Sequence, residues 1–460
     1  MIVQQHQSNI NTEKIMPTQL NLLKHLLFYF VSCLFTINAF AALPIQKIDL
    51  PTGAKLFYVE AKTIPMVNIG VDFPGGAVHD PKERIGVASF TADLMNKGSK
   101  IKGVEKNEAF IADSITELGS MLSFSASREM TSVRIKTLSN PEILNPLISQ
   151  ASDMLAYPTF SRKILEREKS IDISGLLESQ TKPEYIMAKQ FKKMIYRDNP
   201  LGNEQSVNST KAITVDDLKK FHQTYYKADQ MNVLVIGDVS RNQAIEIGTK
   251  LTQNLPRGGV KATIPSLLPL TALDEKDRLV KIAHPSQQAH IQMGMTGPTR
   301  KDPDYFPLLV GNYVLGGGGF VSRLMNEIRE KRGLAYSVSS YFAPAKTSGL
   351  FVAGMQTKTD QSDESLKLLK ETIEKYIVEG PNDQEVLAAK NNLINGFPLR
   401  IDSNSKLLDN LSAIAWHDLP LDTLDDWTNQ VKKVNKEDIV QAFRKNLDMN
   451  KMVMVVVGGQ

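Results

Sequence analysis

Two residues and a glycine run carry most of the chemistry this chain can offer. Gly316, Gly317, Gly318 and Gly319 follow the apolar run 308–314, and Arg329 and Tyr336 come after them, seven residues apart. A guanidinium and a phenol are both hydrogen-bond donors. Consecutive glycines reach backbone angles closed to other residues and give a bare loop that another backbone can approach. On spacing alone, a flexible connection and a solvated helix arginine remain the ordinary reading. Two nucleotide readings fail on the residues. A P-loop needs Gly-Lys-Ser/Thr after its glycines, and Phe320-Val321-Ser322 stands there. A dinucleotide fingerprint needs its glycines directly after a strand, and these follow a helix-like run.

The elements around these residues are regular. Leu324, Ile328 and the stems of Arg329 and Arg332 recur at helical spacing, and Gly333 is a helix stop. Tyr336 opens the alternating run 336–342, which predicts a strand. Earlier in the chain, strands are predicted at 48–59 (two, around Pro51-Thr52-Gly53), 67–73, 121–127 and 131–137, and a buried one at 231–238. Helices are predicted at 85–95, 107–118, 141–154, 161–178, 183–196 and 215–225, with one more ending near Leu255. Residues 217–238 align without gaps on 438–459, an offset of 221 residues that places Met231 on Met452 and Gly237 on Gly458. Asp80-Pro81 faces Asp302-Pro303 at nearly the same offset. That period means a duplicated domain. Each half mixes antiparallel-looking strands with packed helices, so the fold class is α+β. The halves are expected at 42–255 and 269–460, joined by a Pro-, Gly- and Lys/Arg-rich linker at 256–268.

The 460 residues suit two or more domains; 42% apolar and 23% charged residues are ordinary for a soluble protein. A net charge of +4 with no basic run gives no sign of nucleic-acid binding. The N-terminus differs. Lys24, the apolar stretch 26–35 and Ala39-Phe40-Ala41 form a secretory signal pattern, with cleavage expected after Ala41 and Met16 as an alternative start. A lipidated Cys33 is the rival reading, against which Phe30 stands as a poor residue three before it. The apolar stretch is short for a membrane span, so no stable span is expected after cleavage. Cys33 is the only cysteine, so the mature chain would have no disulfide and no thiolate. Export without disulfides suits a bacterial periplasm.

The string from Gly316 to Tyr336 resembles the second-half signature of the pitrilysin, insulinase and mitochondrial processing peptidase family of zinc peptidases. There a Gly-rich loop precedes a serine-arginine-leucine turn, an Ile-Arg-Glu-x-x-Gly-Leu-x-Tyr segment and a strand. The resemblance implies two tandem homologous domains, each a mostly antiparallel sheet covered by helices. It also implies that Arg329 and Tyr336, with Gly316–Gly319, bind substrate beside a zinc site in another domain. The first half repeats the family's frame at Gly86, Ala88, Phe90, Lys97 and Gly98, but not its chemistry. Ser89 stands for the first histidine of His-x-x-Glu-His, Ala92 for the glutamate and Asp93 for the second histidine, while Glu168 lies near the third ligand's place. Serine is a poor zinc ligand and alanine takes no proton, so no metal and no catalytic residue of its own is expected here.

His6, His25, His79, His222, His284, His290 and His417 form no other such motif, and no Gly-x-Ser-x-Gly elbow appears. Trp416, Trp427, Phe320 and Tyr341 read as packing residues or as a pocket lining. Among the family's two-chain enzymes, the combination implies the non-catalytic partner. It would hold a peptide for a zinc-bearing catalytic subunit in a periplasmic heterodimer. An inert scaffold of the same fold is the alternative, and a self-sufficient zinc peptidase with altered ligands is a third.

Overall fold

Two sheets built on one plan organise the chain. In the computed structural model, the structure describes residues 44–459 except 269 and 273, and the expected signal segment lies outside them. The strands are β1 (Gln46–Asp49), β2 (Lys55–Glu60), β3 (Met66–Phe73), β4 (Gly98–Ile101), β5 (Val104–Asn107), β6 (Met121–Ala126), β7 (Thr131–Leu138) and β8 (Asn232–Gly237) in the first half. The second half has β9 (Leu279–Ile282), β10 (Gln288–Gly297), β11 (Val338–Ala343), β12 (Gly349–Lys358) and β13 (Val453–Val457). The first sheet runs β1-β2-β8-β3-β7-β6 and the second β11-β12-β10-β13-β9. Each has one parallel pair, β2 with β8 and β9 with β13, and is otherwise antiparallel. The α+β expectation and the two homologous halves therefore hold.

The repeat is visible in single residues. The Val215–Tyr225 helix maps on Lys436–Asn446 at the same offset of 221, and both start with a capping box, Thr214 with Asp217 and Asn435 with Asp438. These reciprocal bonds satisfy amide groups that have no partner inside the helix. The same offset relates the helices Pro183–Tyr196 and Asn404–His417, which trade places. Pro183–Tyr196 packs on β10 and β13 of the second sheet, and Asn404–His417 on β3 and β8 of the first. The central strands are consequently covered on both faces. That explains why β8 and β13 read as unbroken apolar runs rather than alternating ones. The exchange leaves Pro44–Gln460 as one compact unit.

Three local features differ from the sequence reading. A hairpin, β4 with β5, follows the 87–94 helix where only a helix end was expected. Its turn is Lys102-Gly103, both at positive φ (49° and 77°), the geometry of a two-residue hairpin. The helix-like run before the glycines is the helix Tyr305–Asn312 followed by a π-turn, Tyr313–Gly317. The segment around Arg329 is also π-wound, Met325–Glu330, and the strand begins at Val338, two residues after Tyr336. Residues 256–268 have no regular structure but are held to both halves. Gly258 donates to Asp229, and Thr347 donates to the Pro265 carbonyl.

The core of the first half includes a titratable ring. His222 is buried, shares a hydrogen bond of 2.8 Å with the Leu155 carbonyl and lies against Tyr226. Burial pushes its pKa down to about 4, the Leu155 carbonyl opposing and Lys227 adding to the fall. The unfolded chain, with an ordinary imidazole, binds more protons than the folded one between pH 6.5 and 4. Stability should therefore fall across that window by about 3 kcal/mol from this residue. Urea unfolding at successive pH values checks it. His222→Gln keeps a donor for Leu155 and should flatten the fall by that amount.

Candidate functional site

The helix Val87–Leu94 is set by its N-terminus. The buried Asp80 carboxylate accepts from the amides of Gly86 (2.7 Å) and Ala88 (2.8 Å), a favourable place for a negative charge. Burial still lifts Asp80 to about 7, against those two bonds. Gly86 has φ 117°, and a Cβ there would meet the Gln205 amide at 2.8 Å. The helix then presents Ser89 to solvent, buries Ala92 and leaves Asp93 half-buried.

Asp93 is joined to Glu168 by a cation from the chain itself. Lys97 Nζ lies 3.2 Å from Asp93 and 2.9 Å from Glu168. Arg167 binds Glu168 from the other side, at 2.5 Å, and reaches Glu108 at 2.8 Å. Burial would raise Glu168, but hydrogen bonds from Lys97 and Arg167 hold it below the usual carboxylate range. Asp93 ends above that range: burial outweighs its single, longer bond to Lys97, and Glu168 and Glu108 repel its charge. Burial would depress Lys97, yet its bond to Glu168 and the charge of Asp93 raise it. This donor set does not fit zinc. Ser89 and Ala92 offer no nitrogen ligand, and an ammonium already bridges the two carboxylates. Among the described residues, no three His, Cys, Asp or Glu side chains are placed to hold a metal ion.

In the second half the four glycines are unequal. Gly316 is buried, and a Cβ there would meet Ser340 Oγ at 2.4 Å and Ser340 N at 2.5 Å. The backbone that approaches it is the chain's own strand β11, so Gly316 is a packing residue, not part of a bare loop. Asn312 completes this seal by donating to the Ser340 carbonyl (2.9 Å) and accepting from its hydroxyl (2.7 Å). Gly317 and Gly319 are exposed, Gly318 is half-buried, and Gly319 turns the chain at φ 61°. Beyond them Phe320 and Val321 stand in solvent. Arg329 lies with its guanidinium 4.5 Å from the Phe320 ring centroid and 3.7 Å from Glu330. Tyr336 is 86% exposed and lines a hollow with Tyr341 and His290; Arg329 is not among the residues lining it. Trp416 and Trp427 are buried, Trp427 stacked on Phe397, whereas Phe320 and Tyr341 are exposed.

The comparisons with known proteins agree across both halves. Residues 56–207 match the insulinase (peptidase family M16) domain, and residues 212–393 match the peptidase M16 inactive domain. The crystal structure of a peptidase M16 inactive domain from Pseudomonas fluorescens superposes with a TM-score of 0.85 at 31% identity, covering 91% of this chain and 98% of that one. The chain belongs to the M16 peptidase family. A Helicobacter pylori protein named non-peptidase homolog YmxG is 25% identical over 423 residues, covering 91% of this chain and 95% of its own. The beta subunit of the mitochondrial-processing peptidase of Saccharomyces cerevisiae is 24% identical over 424 residues, covering 89% and 90%.

Within M16 this is an inactive homologue: its relatives include a non-peptidase homolog and an M16 inactive-domain structure, and the described residues bring no metal-ligating group together. Lys97 was legible only as part of the family frame. Its role as the bridging cation needed the fold, which brings Glu168 from another helix. Lys97→Met should leave Asp93 without its cation, and Glu168 with Arg167 alone, and lower stability by about 2 kcal/mol, less than a fully buried pair because Asp93 is partly solvated. Adding Asp93→Asn should restore part of the loss. Equal urea midpoints for wild type and Lys97→Met would show that the bridge contributes nothing.

Proposed function

We propose that this chain is the non-catalytic, substrate-holding subunit of a two-chain zinc peptidase. The observation that carries the proposal is a contrast within one molecule. The helix that would hold a metal has its charges paired among themselves, while Tyr336 stands in solvent with no packing task. The zinc would belong to the partner subunit. This chain would supply donors: the Tyr336 hydroxyl and the Arg329 guanidinium, directed at a carbonyl of the bound peptide. Stacking on Phe320 holds the Arg329 guanidinium in place before substrate arrives, which lowers the entropic cost of binding. Gly319, with nothing within 4 Å of where a Cβ would stand, leaves room for a peptide backbone beside it.

The leader pattern supports export, and the lack of cysteine after Cys33 fits a periplasmic protein. Among the described residues, no helix is long and apolar enough to cross a membrane. Mass spectrometry of the protein from the periplasmic fraction should give an N-terminus at Ala42.

A donor that meets charge as it develops contributes about 3 kcal/mol, or about 100-fold in rate. In an equimolar mixture with a zinc-bearing M16 subunit from the same organism, this chain should raise peptide cleavage well above that of either chain alone. Tyr336→Phe should then lower kcat by about 100-fold, and Arg329→Ala by a similar factor. An inert scaffold would leave the partner's cleavage unchanged in both variants.

A further inference from the structure

The exchanged helix Pro183–Tyr196 crosses the open face of the second sheet and makes a trough there. Two hollows of about 360 and 440 Å³ lie along it. Both are lined by Gln292, Tyr341 and Val352, so they join. The floor is the face of β10, β12 and β11 that carries Gln292, Gly354 and Tyr341. The wall is the helix, through Glu184 and Met187 at one end and Lys192 and Tyr196 at the other.

The ends differ in charge. Glu184 is exposed and makes no ion pair with a described residue. At the far end Arg128 donates to the Tyr196 hydroxyl and lies over its ring, and it too makes no ion pair with a described carboxylate. Lys192 stands beside it, bound to Glu204. Between the ends, Gln292 is a half-buried amide and Tyr341 an exposed ring. His290, 8% exposed, lines the Glu184 end, and its Nδ1 has no hydrogen-bond partner. From Glu184 to Tyr196 the helix spans about 18 Å, the length of about five or six extended residues.

We infer that this trough binds an extended peptide of about six residues, with a cationic side chain at the Glu184 end and a carboxylate at the Arg128 and Lys192 end. A small anion or cation would satisfy one end only. A peptide brings opposite charges at that separation and backbone amides for Gln292 between them. The inference rests on the peptide-holding reading and adds to it a site, a length and a charge order.

The probe is acetyl-Lys-Ala-Val-Ser-Val-Glu-amide, titrated calorimetrically into the intact mature chain without partner. Versions with Gln in place of the Lys or of the Glu should each bind about 5-fold more weakly, the scale of a solvated ion pair. Glu184→Gln should erase the preference for Lys alone, and Arg128→Met the preference for Glu alone. Because Arg128 also braces Tyr196, Lys192→Gln serves as a second variant at that end and should reduce the same preference. Equal binding of all three peptides, or preferences unmoved by these substitutions, overturns the trough. So does the absence of any binding, and the cleavage gain in the mixture with a zinc-bearing subunit then still decides the subunit reading by itself.

Discussion

A single buried carboxylate ties the two halves together. Asp72, in the middle of β3, is 1% exposed and accepts from Ser132 (2.7 Å), Arg134 (2.6 Å) and Ser412 (2.5 Å). Ser132 and Arg134 belong to the neighbouring strand, but Ser412 comes from the Asn404–His417 helix of the other half. A charge so far from water is tolerated only when its oxygens are bonded, so removing any one partner leaves a costly remainder. Arg134 closes the ring by donating to Ser412 as well, at 3.2 Å. Asn68, two turns of the pleat away on the same strand, donates to Ser405 on that helix. The helix is thus fixed in register as well as in contact.

The reciprocal contact is made differently. Pro183–Tyr196 meets the second sheet through Phe191, which lies where a Cβ on Gly294 would be, at 3.0 Å. Polar bonds fix one exchanged helix, and close apolar packing fixes the other. Directional bonds specify a single alignment, while packing against glycine mainly sets a distance. The looser chemistry falls on the side where the helix wall and sheet floor diverge into a trough. The second sheet, which presents Tyr336 and Tyr341, is thus held to the first half by both contacts, the Asp72 ring and the Phe191 packing.

Much of this was legible in the sequence, and the exceptions have physical reasons. The repeat showed because capping and burial act locally: Asp217 and Asp438 must each sit three residues after their N-caps, and the β8 and β13 runs must be apolar throughout. Helix exchange did not show, because an amphipathic helix carries no mark of which sheet it will cover. The hairpin of β4 and β5 had a usable signal in Lys102-Gly103, but its strands are only four residues each, the shortest run that reads as a strand. The π-turns left no signal, since their cause is tertiary: Gly316 winds inward to meet Ser340 on a strand over twenty residues ahead. Lys97, Glu168 and Arg167 were visible as charges, but their convergence depends on two helices meeting.

The family signature separates, on this structure, into residues the fold requires and residues it does not. On the first helix, Ala88 and Phe90 are core, and Gly98 has Thr159 Oγ1 where its Cβ would be, at 2.5 Å. Those positions persist whether or not a metal is held, which is why the frame outlives the chemistry. In the second half the same holds for Gly316, for Leu324 and Ile328, both fully buried, and for Arg323, bound to both oxygens of Glu385 at 2.8 and 2.7 Å. Packing alone would preserve them in an inert scaffold. Tyr336 is in another position. It is almost entirely solvated, so a smaller polar residue would serve the fold as well and spare an exposed ring its contact with water. Arg329 rests on Phe320, a ring that is itself exposed and stabilises no core. Tyr336, Arg329 and Phe320 are thus three residues of this segment whose identity burial in the core does not fix.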